Sequence, residues 1–124
     1  MARILIIDDS EEFRKVFRLL LEDAGYEVAE ACDGDEGIKV YEQQPADLVV
    51  SDVIMPGKEG VQMMVELKRK YPEIKIFAMS GGGIEEPNGY LESARVVGGA
   101  LRTFAKPFSF KEMLAAIKEE LEGK

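Results

Sequence analysis

At 124 residues the chain is the size of one domain, long enough to bury a core without disulfides or a structural metal. With 46% hydrophobic and 32% charged residues it reads as an ordinary globular protein. A net charge of -8 disfavours contact with nucleic-acid phosphates and suits a protein that attracts cations, while the lack of histidine removes Ser-His-Asp and Cys-His catalysis, histidine metal sites and any phosphohistidine on this chain. The lone Cys32 excludes an internal disulfide and is expected as a small buried hydrophobe. No apolar run approaches the roughly 20 residues of a membrane helix. The opening MARILIIDDS has too few apolar residues for a signal-peptide core, so a cytoplasmic location is expected.

Short apolar runs alternate with helical periodicities along the chain. Arg3 to Ile7 predicts a first strand, after which Ser10 caps a helix with Glu11 and Glu12 in its first turn. In that helix Phe13, Val16, Phe17, Leu20, Leu21 and Ala24 make one apolar stripe, and Gly25 ends it. Tyr26 to Ala31 partly alternates, as an edge strand would, and Asp33 and Gly34 turn into a helix of about ten residues from Asp35. Leu48 to Ser51 is the third strand. Val61 to Tyr71 is a helix with Met64, Leu67 and Tyr71 on one face, closed by Pro72. Ile74 to Met79 is the fourth strand, and Leu91, Ala94 and Val97 mark a helix ending at Gly98 and Gly99. Leu101 to Ala105 is the fifth strand. The last helix opens on SFKE, a capping box of Ser109 and Glu112, and runs on through Met113, Ile117 and Leu121.

Strands that alternate with helices imply a doubly wound parallel sheet with helices on both faces. Strands 1, 3 and 4 are the most continuously apolar, so they belong in the middle, giving the order 2-1-3-4-5. In such sheets ligands bind beyond the carboxyl ends of the strands, where the order reverses between strands 1 and 3. Each strand delivers a polar group to that end: Asp8 and Asp9 from strand 1, Asp52 from strand 3, Ser80 from strand 4 and Lys106 from strand 5. An isolated Asp-Asp pair reads as a solvated turn or a helix cap, and a serine beside three glycines as ordinary loop. The convergence of four strand ends argues otherwise. Carboxylates this close repel by about 4 kcal/mol per pair at 4 Å and an effective dielectric near 20. Protonation or a hard divalent cation must compensate.

The motifs DDS after strand 1, SDVIMPGKEG around Asp52, Ser80 after strand 4 and KPF at 106–108 resemble, in order and spacing, the receiver domains of bacterial two-component response regulators. The resemblance covers the whole chain, 1–124, as a single domain of flavodoxin-like fold. It implies that Asp52 accepts a phosphoryl group from a histidine kinase or phosphotransfer protein. It further implies that Mg2+ is bound by Asp9, Asp52 and the backbone carbonyl of Ile54, with Asp8 acting through water. Lys106 and Ser80 would stabilise the phosphoryl oxygens, and a cis bond before Pro107 would aim the lysine. The implied output is a downstream protein meeting helix 4, strand 5 and helix 5, by a monomer or weak dimer, with no nucleic acid, no membrane and no enzymatic turnover beyond its own phosphorylation and dephosphorylation.

Two features depart from the family. Thr103 stands where many receivers place a rotating aromatic, and Phe104 beside it points to the opposite face. The segment GGGIEEPNGY lengthens the loop before helix 4 by about four residues, so the loop is expected to carry the switch. Ile54 and Gly82 offer no side chain to orient attacking water, which predicts slow self-dephosphorylation. A Mg2+-dependent phosphatase of haloacid-dehalogenase type is the competing function, but it usually has D-x-D after strand 1, and here Ser10 stands two residues after Asp8. A receiver-shaped scaffold that is never phosphorylated is a third reading.

Overall fold

The computed structural model of the chain describes residues 1–53, 60–80 and 89–123. Strands and helices alternate: β1 (Arg3–Ile7), α1 (Glu11–Asp23), β2 (Glu27–Ala31), α2 (Gly34–Gln43), β3 (Leu48–Asp52), α3 (Gly60–Lys70), β4 (Ile76–Ser80), α4 (Gly89–Val96), β5 (Arg102–Ala105) and α5 (Phe110–Glu122). The strands form one parallel sheet in the order β2-β1-β3-β4-β5, the order expected from the apolar runs. Every residue of β3 and β4 is buried, as strands covered on both faces must be.

Strand alternation sorts the core into two layers. Ile4, Ile6, Leu48, Val50, Phe77 and Met79 face α1 and α5, where they meet Phe17, Leu21, Met113 and Ile117. Leu5, Ile7, Val49, Ile76 and Ala78 face α2, α3 and α4, where they meet Tyr41, Met63, Met64, Leu67 and Ala94. The helix ends follow local chemistry. Ser10 accepts from the Phe13 N–H at 3.1 Å, Asp33 from the Glu36 N–H at 2.8 Å and Ser109 from the Glu112 N–H at 3.3 Å. Gly25 takes a φ of 97°, the left-handed turn that lets β2 follow α1 so closely.

Several expectations shift. Ile74 is buried but belongs to the turn after α3, where its N–H donates to the Tyr71 carbonyl, so β4 starts at Ile76 and reaches Ser80. Leu101 is exposed and β5 starts at Arg102. The stripe of α1 is narrower than its spacing suggested: Phe17 and Leu21 are fully buried, Val16 lies past the edge and Ala24 caps the end in solvent. Val97 is exposed for a similar reason, because α4 ends at Val96. Cys32 is exposed rather than buried. It follows the last residue of β2, and its N–H donates to the Glu36 carboxylate in the solvent-facing turn that opens α2.

Glycine sets how closely α3 approaches the sheet. A Cβ at Gly60 would stand 2.5 Å from the Asp52 carbonyl oxygen and 2.5 Å from the Val53 Cα, backbone atoms with no freedom to yield. The start of α3 is therefore pressed against the end of β3.

Candidate functional site

The four strand ends meet as expected. Asp8 directly follows β1, is fully buried, and has both carboxylate oxygens engaged: Oδ1 accepts from the Ser10 N–H at 2.8 Å and Oδ2 from the Lys106 Nζ at 2.5 Å. Asp9, the next residue, is exposed. Asp52 closes β3 at 3% exposure, and its Oδ2 accepts from Lys106 at 3.3 Å. Carboxylate oxygens of Asp8, Asp9 and Asp52 all lie within 4.8 Å of one another. Ser80 ends β4, fully buried, and its carbonyl accepts from the Lys106 N–H at 2.9 Å. That backbone bond ties the lysine to the neighbouring strand. The Lys106–Pro107 peptide is cis. Ile54 and residues 81–88, including Gly82 and most of the lengthened loop, lie outside the described residues.

Among the described residues, three carboxylates against one ammonium leave two negative charges in this cluster, the complement of one divalent cation. The donor atoms are all oxygen, and the acid nearest solvent, Asp9, leaves the cluster open on one side. Hard cations such as Mg2+ take such ligands while keeping several waters, so the residues present fit that ion.

Other side chains shape the site without a motif to announce them. Arg14 donates to the Asp8 carbonyl at 2.6 Å and to Glu30 of β2 at 2.9 Å, tying the turn after β1 to the sheet edge. Arg18 holds the second oxygen of Glu30 at 2.7 Å. Burial pushes the Glu30 carboxyl up, but hydrogen bonds from Arg18 and Arg14 outweigh it and hold it below the ordinary carboxylate range. An acid in a strand beside a helix bearing arginines at 14 and 18 was the available signal. Phe13 was legible only as core, yet its ring lies under Lys106, with Nζ 4.0 Å from the centroid. Phe104 meets Phe77 and Phe108 at 5.7 Å each, so it lies in the core layer of α1 and α5. Thr103 pairs with Ala78 and Phe104 with Met79, which sends the two to opposite faces.

A doubly wound sheet with an acid cluster and a lysine at its switch point defines the class, and the sequence comparison agrees. The chain belongs to the response regulator receiver domain family, which it matches over residues 4–118. It is a regulatory domain, a phosphorylation-dependent switch of two-component signalling. The chain is 32% identical over 123 residues to the sensor kinase CckA of Brucella abortus, spanning 98% of this chain and 13% of that kinase. The chemotaxis protein CheY4 of Vibrio cholerae superposes with a TM-score of 0.85 at 29% identity, covering 98% of this chain and 99% of that one. The response regulator TrrA of Thermotoga maritima, in complex with Mg2+-BeF, superposes with a TM-score of 0.82 at 28% identity, covering 98% and 100%. Among the described residues no helix is long and apolar enough to cross a membrane.

Proposed function

We propose that Asp52 is the phosphoacceptor and that residues 1–124 act as one receiver unit. Among the described residues two buried acids face the Lys106 ammonium, Asp8 at 2.5 Å and Asp52 at 3.3 Å. Asp8 is fully buried with both oxygens engaged by Ser10 and Lys106, whereas Asp52, at the end of β3 in the SDVIMPGKEG motif, keeps some exposure, and that difference carries the assignment. Asp9 and Asp52 would hold Mg2+, with the Ile54 carbonyl as a further ligand and Asp8 supporting through water. Bound there, the ion would offset negative charge on the oxygens of the transferring phosphoryl group.

The rest falls to the chain's own residues. An Asp52 carboxylate oxygen forms the new bond to phosphorus as the bond from phosphorus to the donor's imidazole nitrogen breaks, and the donor histidine leaves with that electron pair. Lys106 shifts from carboxylate to phosphoryl oxygen over a short distance, a charge-assisted contact fixed by its backbone bond to Ser80. The Ser80 hydroxyl donates to another phosphoryl oxygen, which couples the end of β4 to modification. A sensor histidine kinase or phosphotransfer protein would supply the phosphoryl group, and a downstream protein would read the change through α4, β5 and α5.

Intact mass after incubation with acetyl phosphate and Mg2+ tests this reading. The expected result is one added phosphoryl group, absent in Asp52→Asn and absent without Mg2+. Sustained release of phosphate from phosphate esters would favour the phosphatase instead, and no modification at all would favour an inert scaffold.

A further inference from the structure

Among the described residues the Lys106 ammonium has three neighbours, and two of them are compromised by the function proposed above. Asp8 and Asp52 attract it at 2.5 and 3.3 Å, but both also belong to the cluster that would serve a dication. When their charge is taken up by a cation, their pull on the lysine weakens. The third neighbour is the face of Phe13, 4.0 Å from Nζ to the ring centroid. An aromatic face attracts an ammonium through its quadrupole, more strongly as the pair loses water, and the Lys106 side chain is only 19% exposed. A dication held by the carboxylates would leave that face to the lysine.

The ring itself is held firmly. Phe13 stacks on Phe110 at 5.8 Å, meets Phe17 at 5.6 Å and receives Phe108 edge-on at 6.1 Å. Phe108 lies two residues beyond Lys106, so the lysine and its chain neighbour bracket the same ring. Phe13 also stands in the first turn of α1, whose Ser10 cap donates to Asp8. We propose that Phe13 is a positioning residue that keeps Lys106 aimed at Asp52 while the carboxylates are occupied by a cation. This rests on the phosphoacceptor reading for its consequence, though not for its geometry.

Two experiments on the full chain test it. In wild-type protein with labelled lysine, ring current should shift the Lys106 side-chain protons upfield, and that shift should persist as MgCl2 is titrated to saturation. It should vanish in Phe13→Leu. Modification by acetyl phosphate and Mg2+ should slow by roughly fivefold to tenfold in Phe13→Leu. It should stay near the wild-type rate in Phe13→Tyr, which retains the ring. In a Lys106→Met background, Phe13→Leu should add no further slowing, a coupling that loss of packing alone would not produce.

A wild-type rate in Phe13→Leu would overturn the proposal, as would equal slowing in both backgrounds. So would an upfield shift that disappears when MgCl2 is added. If wild-type protein took up no phosphoryl group, the phosphoacceptor reading would fail, while the MgCl2 titration would still decide whether Phe13 holds the lysine. That titration uses wild-type protein and therefore decides even if Phe13→Leu does not fold.

Discussion

The two faces of the sheet reach the site by different means. On the α1 and α5 face, six phenylalanines, at 13, 17, 77, 104, 108 and 110, form a chain of ring contacts that ends beneath Lys106. On the other face Met63, Met64 and Leu67 fill the layer, and the approach to Asp52 is made by backbone, with Gly60 against its carbonyl. A side-chain layer can lose volume and relax in part, whereas a backbone contact has nowhere to move. The first face should therefore govern stability and the aim of the lysine, and the second the position of Asp52, the proposed acceptor.

That contrast can be broken by paired substitutions. Phe17→Ala removes a fully buried ring that touches Phe13 and Phe110, and should cost about 3–5 kcal/mol, read as a lowered midpoint in urea. Gly60→Ala should cost less, about 1–3 kcal/mol by overpacking. It should nevertheless slow phosphorylation of the folded protein more than Phe17→Ala does, because strain falls directly on the Asp52 backbone. Equal slowing of the two folded variants would mean that the faces do not differ in this way.

Two titrations sharpen the comparison at the outer edge of the α1 and α5 face. Burial and a 2.8 Å hydrogen bond to Glu122 push the Tyr26 hydroxyl up to about 12. A raised folded value means the contribution is complete below the unfolded value near 10 and is lost as pH rises toward 12. Stability of the wild type should thus fall more steeply above pH 10 than that of Tyr26→Phe, in urea unfolding across that range. Glu30 is the opposite case, held low by Arg18 and Arg14 against its burial. Its contribution is present above the ordinary carboxylate value and is lost as pH falls through the depressed one. Glu30→Gln should flatten that acid limb, by less than the Tyr26 effect because the ion pairs are partly exposed. An unchanged acid limb would show that the ion pairs of Glu30 with Arg18 and Arg14 add nothing to stability.

How much of this was legible in the sequence depends on whether a feature is local. Strand order followed from the continuous apolar runs of β1, β3 and β4, and the site from the polar residue that ends each one. The helix caps at Ser10 and Ser109 were equally plain, because capping involves neighbours three residues apart. Cys32 and Val16 were misplaced because composition and spacing average over a turn, while exposure at a strand end or stripe edge depends on a few degrees of rotation. The Arg14–Glu30 link joins residues 16 apart on different elements, and Phe13 meets Lys106 only after α1 packs beside the end of β5. Such pairings have no signature along the chain. Thr103 and Phe104 fell on opposite faces as strand alternation required, so Phe104 packs in the core layer and the position of the expected rotating aromatic is held by Thr103.

The central claim is that Asp9 and Asp52, with Asp8 beside them, form one cation pocket facing one acceptor. Calorimetric titration of MgCl2 into the wild type, Asp9→Asn and Asp52→Asn tests it most directly. The account predicts a single site in the wild type, with affinity sharply reduced in both variants. A wild type that takes up no Mg2+, or an Asp9→Asn protein that binds it as tightly as the wild type, would contradict the account.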